Sequence, residues 1–404
     1  MIRSSKHILK YSNKNKLCSL EELFSDYEQD LKFYISLILS NKLPSRNNLT
    51  SKNLPNNKIS HSQWKQIVYK NASEIVRSNL KYAKNKVYNR YKKIYFKCKE
   101  KDICKNFLNK RFSELKINYF KRVKIDLKTI TINIDSRLFD IKYDAKNFDE
   151  FILLRLPYFK ETKKRAISLN LPIKHHKQSN KFIQGNFRRL NTIKLSKVNN
   201  NFYLTFTFEK EDKEHKIIGE NIAFDLGYKK LLSDSNGNHY GKELLAIYDK
   251  LSRKKRGSKN YQDLLIHKNN LIRKTCNNLD LNQVKIIVVE NLKRVRDNSK
   301  IGRKVMNKIQ YWSYREVLKK LEMLSQEEGF FLIKVNPAYT SQTCSKCGTV
   351  DKSFRNGEIY QCSCGINIDA DTNAAINILH RGVYNPSNQE EQFSRKFIEF
   401  YRKL

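Results

Sequence analysis

NIAFDLG, at residues 221–227, has the pattern of a buried strand that ends on one acidic residue, Asp225. Two other stretches in the last third of the chain also place one acid at the boundary of an element: KIIVVENL (285–292, with Glu290) and DADTNAAINIL (369–379, with Asp371). A carboxylate at the end of an apolar strand loses hydration, which costs free energy unless a partner compensates its charge. The three stretches therefore predict a site in which several acids share a cationic ligand.

Phosphodiester hydrolysis is the chemistry that best fits three such acids. Two divalent cations ~4 Å apart activate water and stabilise the leaving oxygen in this reaction, and Mg²⁺ prefers carboxylate oxygens. We predict that Asp225, Glu290 and Asp371 are catalytic and hold two Mg²⁺ ions. Taken alone, Glu290 could be a solvated strand end, and Asp371 or Asp369 could cap a helix. Asp369 is also the competing choice for the third metal-binding acid.

Four cysteines lie between the second and third acids, as a C-x₂-C pair, fourteen intervening residues and a C-x-C pair: Cys344, Cys347, Cys362 and Cys364. Four thiolates at this spacing are typical of a tetrahedral Zn²⁺ site, although the second pair is one residue shorter than usual. We expect one zinc ion with a structural role, because four protein ligands leave no open position for a substrate.

The charge of the chain indicates a polyanionic partner. It contains 80 Lys and Arg against 40 Asp and Glu, a formal net charge of +40, and nucleic acid is the usual partner of so basic a protein. A Lys-rich composition alone would not produce a twofold excess of cations. The candidate nucleic-acid contacts are basic residues in clusters: Lys92, Lys93, Arg188, Arg189, Arg253, Lys254, Lys255 and Arg256. A solvated charged face is the alternative interpretation of such clusters.

The location that we expect is cytoplasmic, and nucleoid-associated if the host is a prokaryote. There is no run of 18 or more apolar residues, so no membrane span is predicted. The opening residues, MIRSSKHILKYSNK, lack the apolar stretch of a secretory signal. Eight cysteines without such a signal favour a reducing compartment.

The order of predicted elements changes near residues 217–220. Before that point, apolar spacing predicts helices over 20–40 and 61–100, followed by several short strands between 128 and 208 that suggest a small barrel. Two adjacent histidines, His175 and His176, are expected to be solvated in a polar loop. Beyond residue 220, strands alternate with helical segments, including a long basic one over 242–278. This α/β plan is the outline of an RNase H-like fold.

The last third of the chain resembles the RuvC and zinc-ribbon part of the transposon-encoded TnpB proteins, relatives of the miniature type V CRISPR effectors. The resemblance covers about Gly219–Gly382, and AYTSQTCS, just before the first cysteine pair, is its most characteristic piece. The other matching stretches, in order, are NIAFDLG, LSRKKRGSKN, KIIVVENLK, NKIQYWSYREVLKKLE, YQCSCG and DADTNAAINIL. The resemblance assigns the three metal-binding acids of the family to Asp225, Glu290 and Asp371, the last through its D-x-N-A-A pattern.

The resemblance also implies the activity and the partners. A guide RNA would pair with double-stranded target DNA beside a short flanking motif, and the RuvC-like site would cut the DNA. A nuclease-inactive, RNA-guided repressor and a miniature type V effector are the alternatives. The implied multidomain α+β architecture has five parts: a wedge-like β-barrel (1–12 and 117–216), a helical recognition domain (13–116), a RuvC-like α/β domain (217–340 and 366–382), a zinc ribbon (341–365) and a tail (383–404).

Overall fold

The chain divides into two units, one over Ile2–Lys210 and one that contains Met1 and the residues from Glu211 onward. The computed structural model describes residues 1–45, 49–97, 106–107, 109–110, 130–143, 147–160, 163–198, 200–292 and 313–384. The division falls a few residues before the change of pattern at 217–220. The predicted tail, 383–404, lies outside the described residues from residue 385 onward.

The first unit combines long helices with antiparallel strands. Its elements are β1 (Ile2–Ile8), α1 (Lys14–Leu39), α2 (Ser62–Lys97), β2 (Thr131–Asp135), β3 (Phe139–Tyr143), β4 (Glu150–Lys160), β5 (Lys163–Ile173), α3 (Lys177–Gln184), β6 (Arg188–Val198) and β7 (Asn201–Glu209). Helix α1 begins where the Asn13 side chain accepts a hydrogen bond from the Lys16 backbone N–H at 3.0 Å. Both predicted helices are therefore present, and α1 begins earlier than the apolar spacing indicates.

Two antiparallel sheets lie in this unit, with strand orders β1-β7-β6-β2 and β3-β4-β5. Alternation explains why β7 forms: Phe202, Leu204, Phe206 and Phe208 are all buried, and the residues between them are half-buried. Strands β6 and β7 pair antiparallel, and both lie in the region where short strands are predicted. Closure of the sheets into a barrel stays a prediction, because the described pairings form two separate sheets.

The adjacent histidines both contact a third one; His176 is exposed as expected, whereas His175 is half-buried, so the expectation of a solvated side chain is wrong for His175 alone. The His7 ring stacks on His176, with ring centroids 4.6 Å apart, and lies edge-on to His175 at 5.5 Å. The His7 ring nitrogens lie 2.9 Å from Ser5 Oγ and 3.3 Å from the Lys174 carbonyl oxygen. His7 is only 3% exposed. These contacts lie between segments far apart in the chain, so sequence pattern could not show them.

The second unit is built around a five-stranded sheet of order β10-β9-β8-β11-β12, in which β8, β11 and β12 are parallel. Its elements are β8 (Glu220–Asp225), β9 (Leu232–Asp234), β10 (His239–Tyr240), α4 (Leu244–Ser252), α5 (Lys259–Asn277), β11 (Val284–Glu290), α6 (Tyr314–Glu328), β12 (Phe331–Val335), β13 (Arg355–Asn356), β14 (Ile359–Gln361), β15 (Asn367–Asp369) and α7 (Ala370–Leu379). Strands β13, β14 and β15 form a separate small sheet.

The basic segment 242–278 is two helices rather than one. Helix α4 ends at Ser252, and α5 begins after Ser258, whose hydroxyl accepts a hydrogen bond from the Tyr261 backbone N–H. Gly257 has φ +84, a left-handed conformation that favours glycine and is incompatible with a continuous helix. In the part of the chain that the structure describes, no helix has both the length and the apolar character that crossing a membrane requires.

Acidification is expected to weaken the first unit through His7. Burial, together with the charge of His176, lowers the pKa of His7 from 6.5 to about 4, and burial also lowers the pKa of His175. Between pH 6.5 and about 4, His7 is protonated in the unfolded chain but stays neutral in the folded protein. Titration of His7 therefore does not reduce the free energy of unfolding above pH 6.5. As the pH falls toward 4, it lowers the free energy of unfolding by up to about 1.4 kcal/mol per pH unit.

The test compares guanidinium-induced unfolding of the wild type and of His7→Gln at pH 7 and pH 5. The wild type should lose more stability between the two pH values than the variant, because Gln does not titrate. His267→Gln, which removes an exposed histidine, is the matched control and should behave as the wild type. An equal pH response in wild type and His7→Gln would contradict the expectation.

Candidate functional site

Two of the predicted acids lie at the same edge of the central sheet. Asp225 ends β8 and Glu290 ends β11, and these strands are parallel neighbours in which Phe224 lies opposite Val289. The carboxyl ends of parallel strands meet at one edge of a sheet, so the two side chains emerge together. Gly227 permits the tight turn that follows Asp225, because a Cβ there would lie 2.6 Å from the Lys230 carbonyl oxygen.

The acids at this edge interact electrostatically. Burial, followed by the charges of Glu290 and Asp371, raises the pKa of Asp225 well above its usual range. Glu290 is 8% exposed, and burial raises its pKa against the opposing effects of a hydrogen bond from Thr340 and the charge of Arg381. Like charges held together in a poorly hydrated site disfavour ionisation of each other. A cation bound among them would remove that penalty.

Asp371 lies in the first turn of α7 and faces two basic residues. Its carboxylate is 2.8 Å from Arg355 Nη2 and 3.5 Å from Lys230 Nζ. Arg355 comes from β13 of the small sheet, and Lys230 from the turn between β8 and β9. Sequence reasoning did not single out either residue, because a lone basic residue in a chain with 80 of them carries no signal.

Asp369, the competing choice for the third acid, has a different environment. One of its carboxylate oxygens caps α7 by accepting hydrogen bonds from the backbone N–H groups of Asp371 and Thr372, at 3.1 and 3.0 Å. The other oxygen is 2.5 Å from Lys230 Nζ. Although burial acts to raise it, the pKa of Asp369 is lowered by these hydrogen bonds and charges. Asp369 therefore has the geometry of a helix cap, whereas Asp371 acts on Asp225.

The acid cluster fits a hard divalent cation by its donor chemistry, with carboxylate oxygens from three separate elements. The carboxylate oxygens of the three acids do not converge as closely as the four cysteine sulfurs do. Among the described residues, only the four cysteines form a group of three or more candidate ligands whose ligand atoms all lie within 4.8 Å of one another. The ion pairs of Asp371 with Arg355 and Lys230 give a physical reason, because they hold its carboxylate toward the basic side chains.

The four cysteines form the arrangement that the C-x₂-C and C-x-C spacing predicts. Cys344 Sγ is 3.5 Å from Cys364 Sγ, and Cys347 Sγ is 3.6 Å from Cys362 Sγ. A tetrahedral Zn²⁺ with Zn–S bonds of about 2.3 Å requires sulfur separations of about 3.8 Å. Hydrogen bonds with Thr349 lower the pKa of Cys347 to about 6, which favours the thiolate that metals bind. The residues therefore fit one zinc ion, and the short second pair does not prevent convergence.

The predicted nucleic-acid contacts have different environments. Arg253, Lys254, Lys255 and Arg256 are all exposed in the segment between α4 and α5. Arg188 is also exposed and pairs with Glu209. The Arg189 side chain forms an ion pair with the fully buried Glu150. Arg189 Nη1 lies 2.9 and 3.1 Å from the two carboxylate oxygens of Glu150. The contact predicted for Arg189 has no support in this geometry, and the side chains of Lys92 and Lys93 lie outside the described part of α2.

Replacing one zinc ligand should destabilise the second unit. We expect Cys344→Ser to lower zinc content and the melting temperature, because the buried site would lose a thiolate. A loss of about 2 kcal/mol lowers the melting temperature by roughly 4–8 °C in a domain of 150–250 residues. Cys18→Ser, at an exposed cysteine outside the cluster, is the control. Calorimetry with metal analysis checks this, and an unchanged melting temperature would count against structural zinc.

Part of the chain is similar to known proteins, and the family match includes the cysteines and Asp371. The family model "Cas12f1-like, TNB domain" matches residues 314–378. CRISPR-associated endodeoxyribonuclease Cas12f1 of Sulfoacidibacillus thermotolerans is 40% identical over 94 residues, which cover 23% of this chain and 21% of that protein. A TnpB-like protein of Aquifex aeolicus is 38% identical over 96 residues, which cover 23% of this chain and 31% of that protein. The aligned region thus spans between about a fifth and a third of these relatives.

The fold is also similar to that of a solved structure. The crystal structure of the AacC2c1-sgRNA-extended non-target DNA ternary complex contains a chain with a TM-score of 0.50 and 10% identity, over 79% of this chain and 71% of that chain. At this identity the likeness concerns the mixed α/β fold alone. The matched domain and the aligned relatives show that part of this chain is similar to Cas12f1 and TnpB-like proteins.

Proposed function

We propose that the protein is an RNA-guided DNA endonuclease with a RuvC-like catalytic site. The observation that carries the proposal is the placement of Asp225, Glu290 and Asp371, from two strand ends and a helix start, within electrostatic reach of one another. Similarity to TnpB-like and Cas12f1 proteins supports it, since the relatives that align with part of this chain include proteins named as endodeoxyribonucleases.

The three acids would hold two Mg²⁺ ions, which when bound supply an activated water and stabilise the leaving oxygen of the phosphodiester. Asp225 interacts electrostatically with both other acids, so it would hold the cations together with them. Arg355 and Lys230 neutralise Asp371 in its present arrangement. If Asp371 turns toward a metal, these side chains become available to bind the negatively charged DNA backbone beside the acids.

The remaining parts of the chain would bind the guide RNA and the target DNA. The net charge of +40 provides the electrostatic basis for both. We propose that the first unit contains the wedge-like barrel (1–12 and 117–216) and the helical recognition domain (13–116), and that it recognises the flanking DNA motif. The cysteines at 341–365 would form a structural zinc ribbon within the RuvC-like domain. A cytoplasmic location, with the nucleoid in a prokaryote, is part of this proposal.

Replacing Asp225 should eliminate DNA cleavage but leave guide-dependent DNA binding intact. Asp225→Ala eliminates a metal ligand and no cationic contact, so we expect DNA cleavage to fall by at least about 10³-fold while guide-dependent DNA binding is retained. Plasmid cleavage and filter binding, measured on the same guide-loaded preparation, check both parts. Asp249→Ala, at an exposed acid of α4, is the control. Loss of DNA binding in Asp225→Ala would instead indicate a structural role for this acid.

Asp371 and Asp369 should respond differently to the same substitution. Asp371→Asn should abolish cleavage with little change in melting temperature, because it removes a candidate metal ligand. Asp369→Asn keeps a side chain that can cap a helix but loses the ion pair with the largely buried Lys230. We expect it to lower thermal stability and to reduce cleavage less than Asp371→Asn does. The opposite ranking of the two variants in cleavage would make Asp369 the third metal ligand.

Salt should weaken nucleic-acid binding steeply. Each neutralised phosphate releases counterions, so the logarithm of the association constant falls linearly with the logarithm of salt concentration. Replacing Arg253, Lys254, Lys255 and Arg256 together by Ala should make that slope shallower, by about 0.7–0.9 for each phosphate that is no longer neutralised. Titrations from about 50 to 300 mM KCl, a range over which this dependence is steep, measure it. If the substitutions leave the slope unchanged, this segment is not part of the nucleic-acid-binding surface.

A further inference from the structure

We infer that Thr340 is a positioning residue for Glu290, and that the turn 339–343 transmits its placement from the cysteine site. The inference deepens the proposed nuclease site and rests on it. Thr340 lies in AYTSQTCS, four residues before Cys344. Its side chain is 2% exposed, and its hydroxyl donates a hydrogen bond to Glu290 Oε1 and also lies 3.0 Å from the Pro337 carbonyl oxygen. The contact with Oε1 restrains the orientation of the Glu290 carboxylate.

The turn 339–343, which contains Thr340, is stabilised by hydrogen bonds between its own residues. Tyr339 has φ +64, a left-handed conformation that is rare for a bulky side chain. The Tyr339 carbonyl oxygen accepts hydrogen bonds from the backbone N–H groups of Gln342 and Thr343, both at 3.0 Å, and from Thr343 Oγ1 at 2.8 Å. Three donors on one carbonyl maintain an unfavourable backbone angle, which is typical of segments where geometry serves function.

The same turn is attached to the helix that carries Asp371. Asn377 Nδ2, on α7, donates to the carbonyl oxygens of Thr340 and Thr343 at 3.0 and 2.6 Å. Asn373 Nδ2 also donates to the Thr343 carbonyl, at 2.8 Å, and Asn373 Oδ1 accepts from the Ser345 backbone N–H at 3.0 Å. Asn373 is fully buried. The distance between Glu290 and the start of α7 is therefore set through this turn.

The cysteine site fixes the other end of the turn. The Cys344 backbone N–H donates to the Thr349 carbonyl at 2.9 Å, and the Tyr360 hydroxyl donates to the Gln342 carbonyl at 3.1 Å. Tyr360 is fully buried beside Cys344 and Cys362. A structural metal on the cysteines would hold this arrangement rigid. The four-cysteine site thus has a second consequence besides stability, namely the orientation of one metal-binding acid.

Thr340→Val is the direct test, because it keeps the shape of the side chain and removes the hydroxyl. The probe is Mn²⁺ alone, which shares the preference of Mg²⁺ for oxygen ligands, titrated into the purified full chain and followed by electron paramagnetic resonance. Subtracting the binding that persists in Asp225→Ala isolates the acid site. We expect Thr340→Val to weaken Asp225-dependent Mn²⁺ binding by about 10- to 100-fold, the usual effect of losing a hydrogen bond to a metal ligand.

Two further variants make the test specific. Thr340→Ser retains the hydroxyl and should restore most of the Mn²⁺ affinity. Thr343→Val removes a hydroxyl from the same turn that bonds only to the Tyr339 carbonyl, which keeps its two backbone donors. It should bind Mn²⁺ as the wild type does. Zinc content should be equal in the wild type and in all three variants.

The outcomes separate this inference from the proposed function. Asp225-dependent Mn²⁺ binding that is unchanged in Thr340→Val would overturn the inference and leave the nuclease proposal intact. Equal weakening in Thr343→Val, or a lower zinc content in Thr340→Val, would assign Thr340 a structural role and also overturn it. Absence of any Asp225-dependent Mn²⁺ binding in the wild type would contradict the proposed metal site, and the inference with it.

Discussion

Mutual repulsion among carboxylates that are buried or half-buried is the constraint on which the second unit depends. Asp225 and Glu290 are brought to one edge of the sheet by the parallel pairing of β8 and β11, and Asp371 is added by α7. Each strand is apolar up to its acid, so the charges lie where water cannot solvate them fully. Such an arrangement is unfavourable for folding alone. It becomes favourable when cations bind, which is why the acids point to metal-dependent chemistry rather than to packing.

The surrounding structure compensates for this cost with a small set of polar contacts. Arg355 and Lys230 pair with Asp371, and Thr340 bonds to Glu290. These residues belong to three different segments. The segments that contain Thr340 and Arg355 lie close to the cysteines in the sequence. The segments around the small sheet and the cysteine site therefore supply two of the side chains that contact the acids.

Some of this arrangement could be predicted from the sequence, and the reasons are local. Apolar runs ending in Asp225 and Glu290 specify strands with an acid at the edge, and cysteine spacing specifies a four-sulfur cluster. Alternation along β7 likewise specifies a strand with one buried face. The break between α4 and α5 was missed although Gly257 and the capping Ser258 marked it, because the apolar spacing continues on both sides.

Contacts between distant segments could not be predicted. His7 meets the Lys174 carbonyl across 167 residues of chain, and Arg189 meets the buried Glu150 from a neighbouring sheet. Arg355 is one of 80 basic residues, and only the fold shows that it faces Asp371. Residue type and spacing describe an element, but they do not say which element will lie beside it. The roles of these residues became visible only when the three-dimensional structure placed them together.

The measurement that tests the central claim most directly is cleavage by the protein co-expressed with its native flanking transcript. The co-purified RNA is sequenced, and the complex is incubated with Mg²⁺ and a plasmid library that carries the matching target behind randomised flanks. We expect a specific bound RNA and cleavage confined to plasmids with that target and one short flanking motif. Cleavage that is independent of the RNA sequence, or specific binding without any cleavage, would contradict the proposed RNA-guided nuclease.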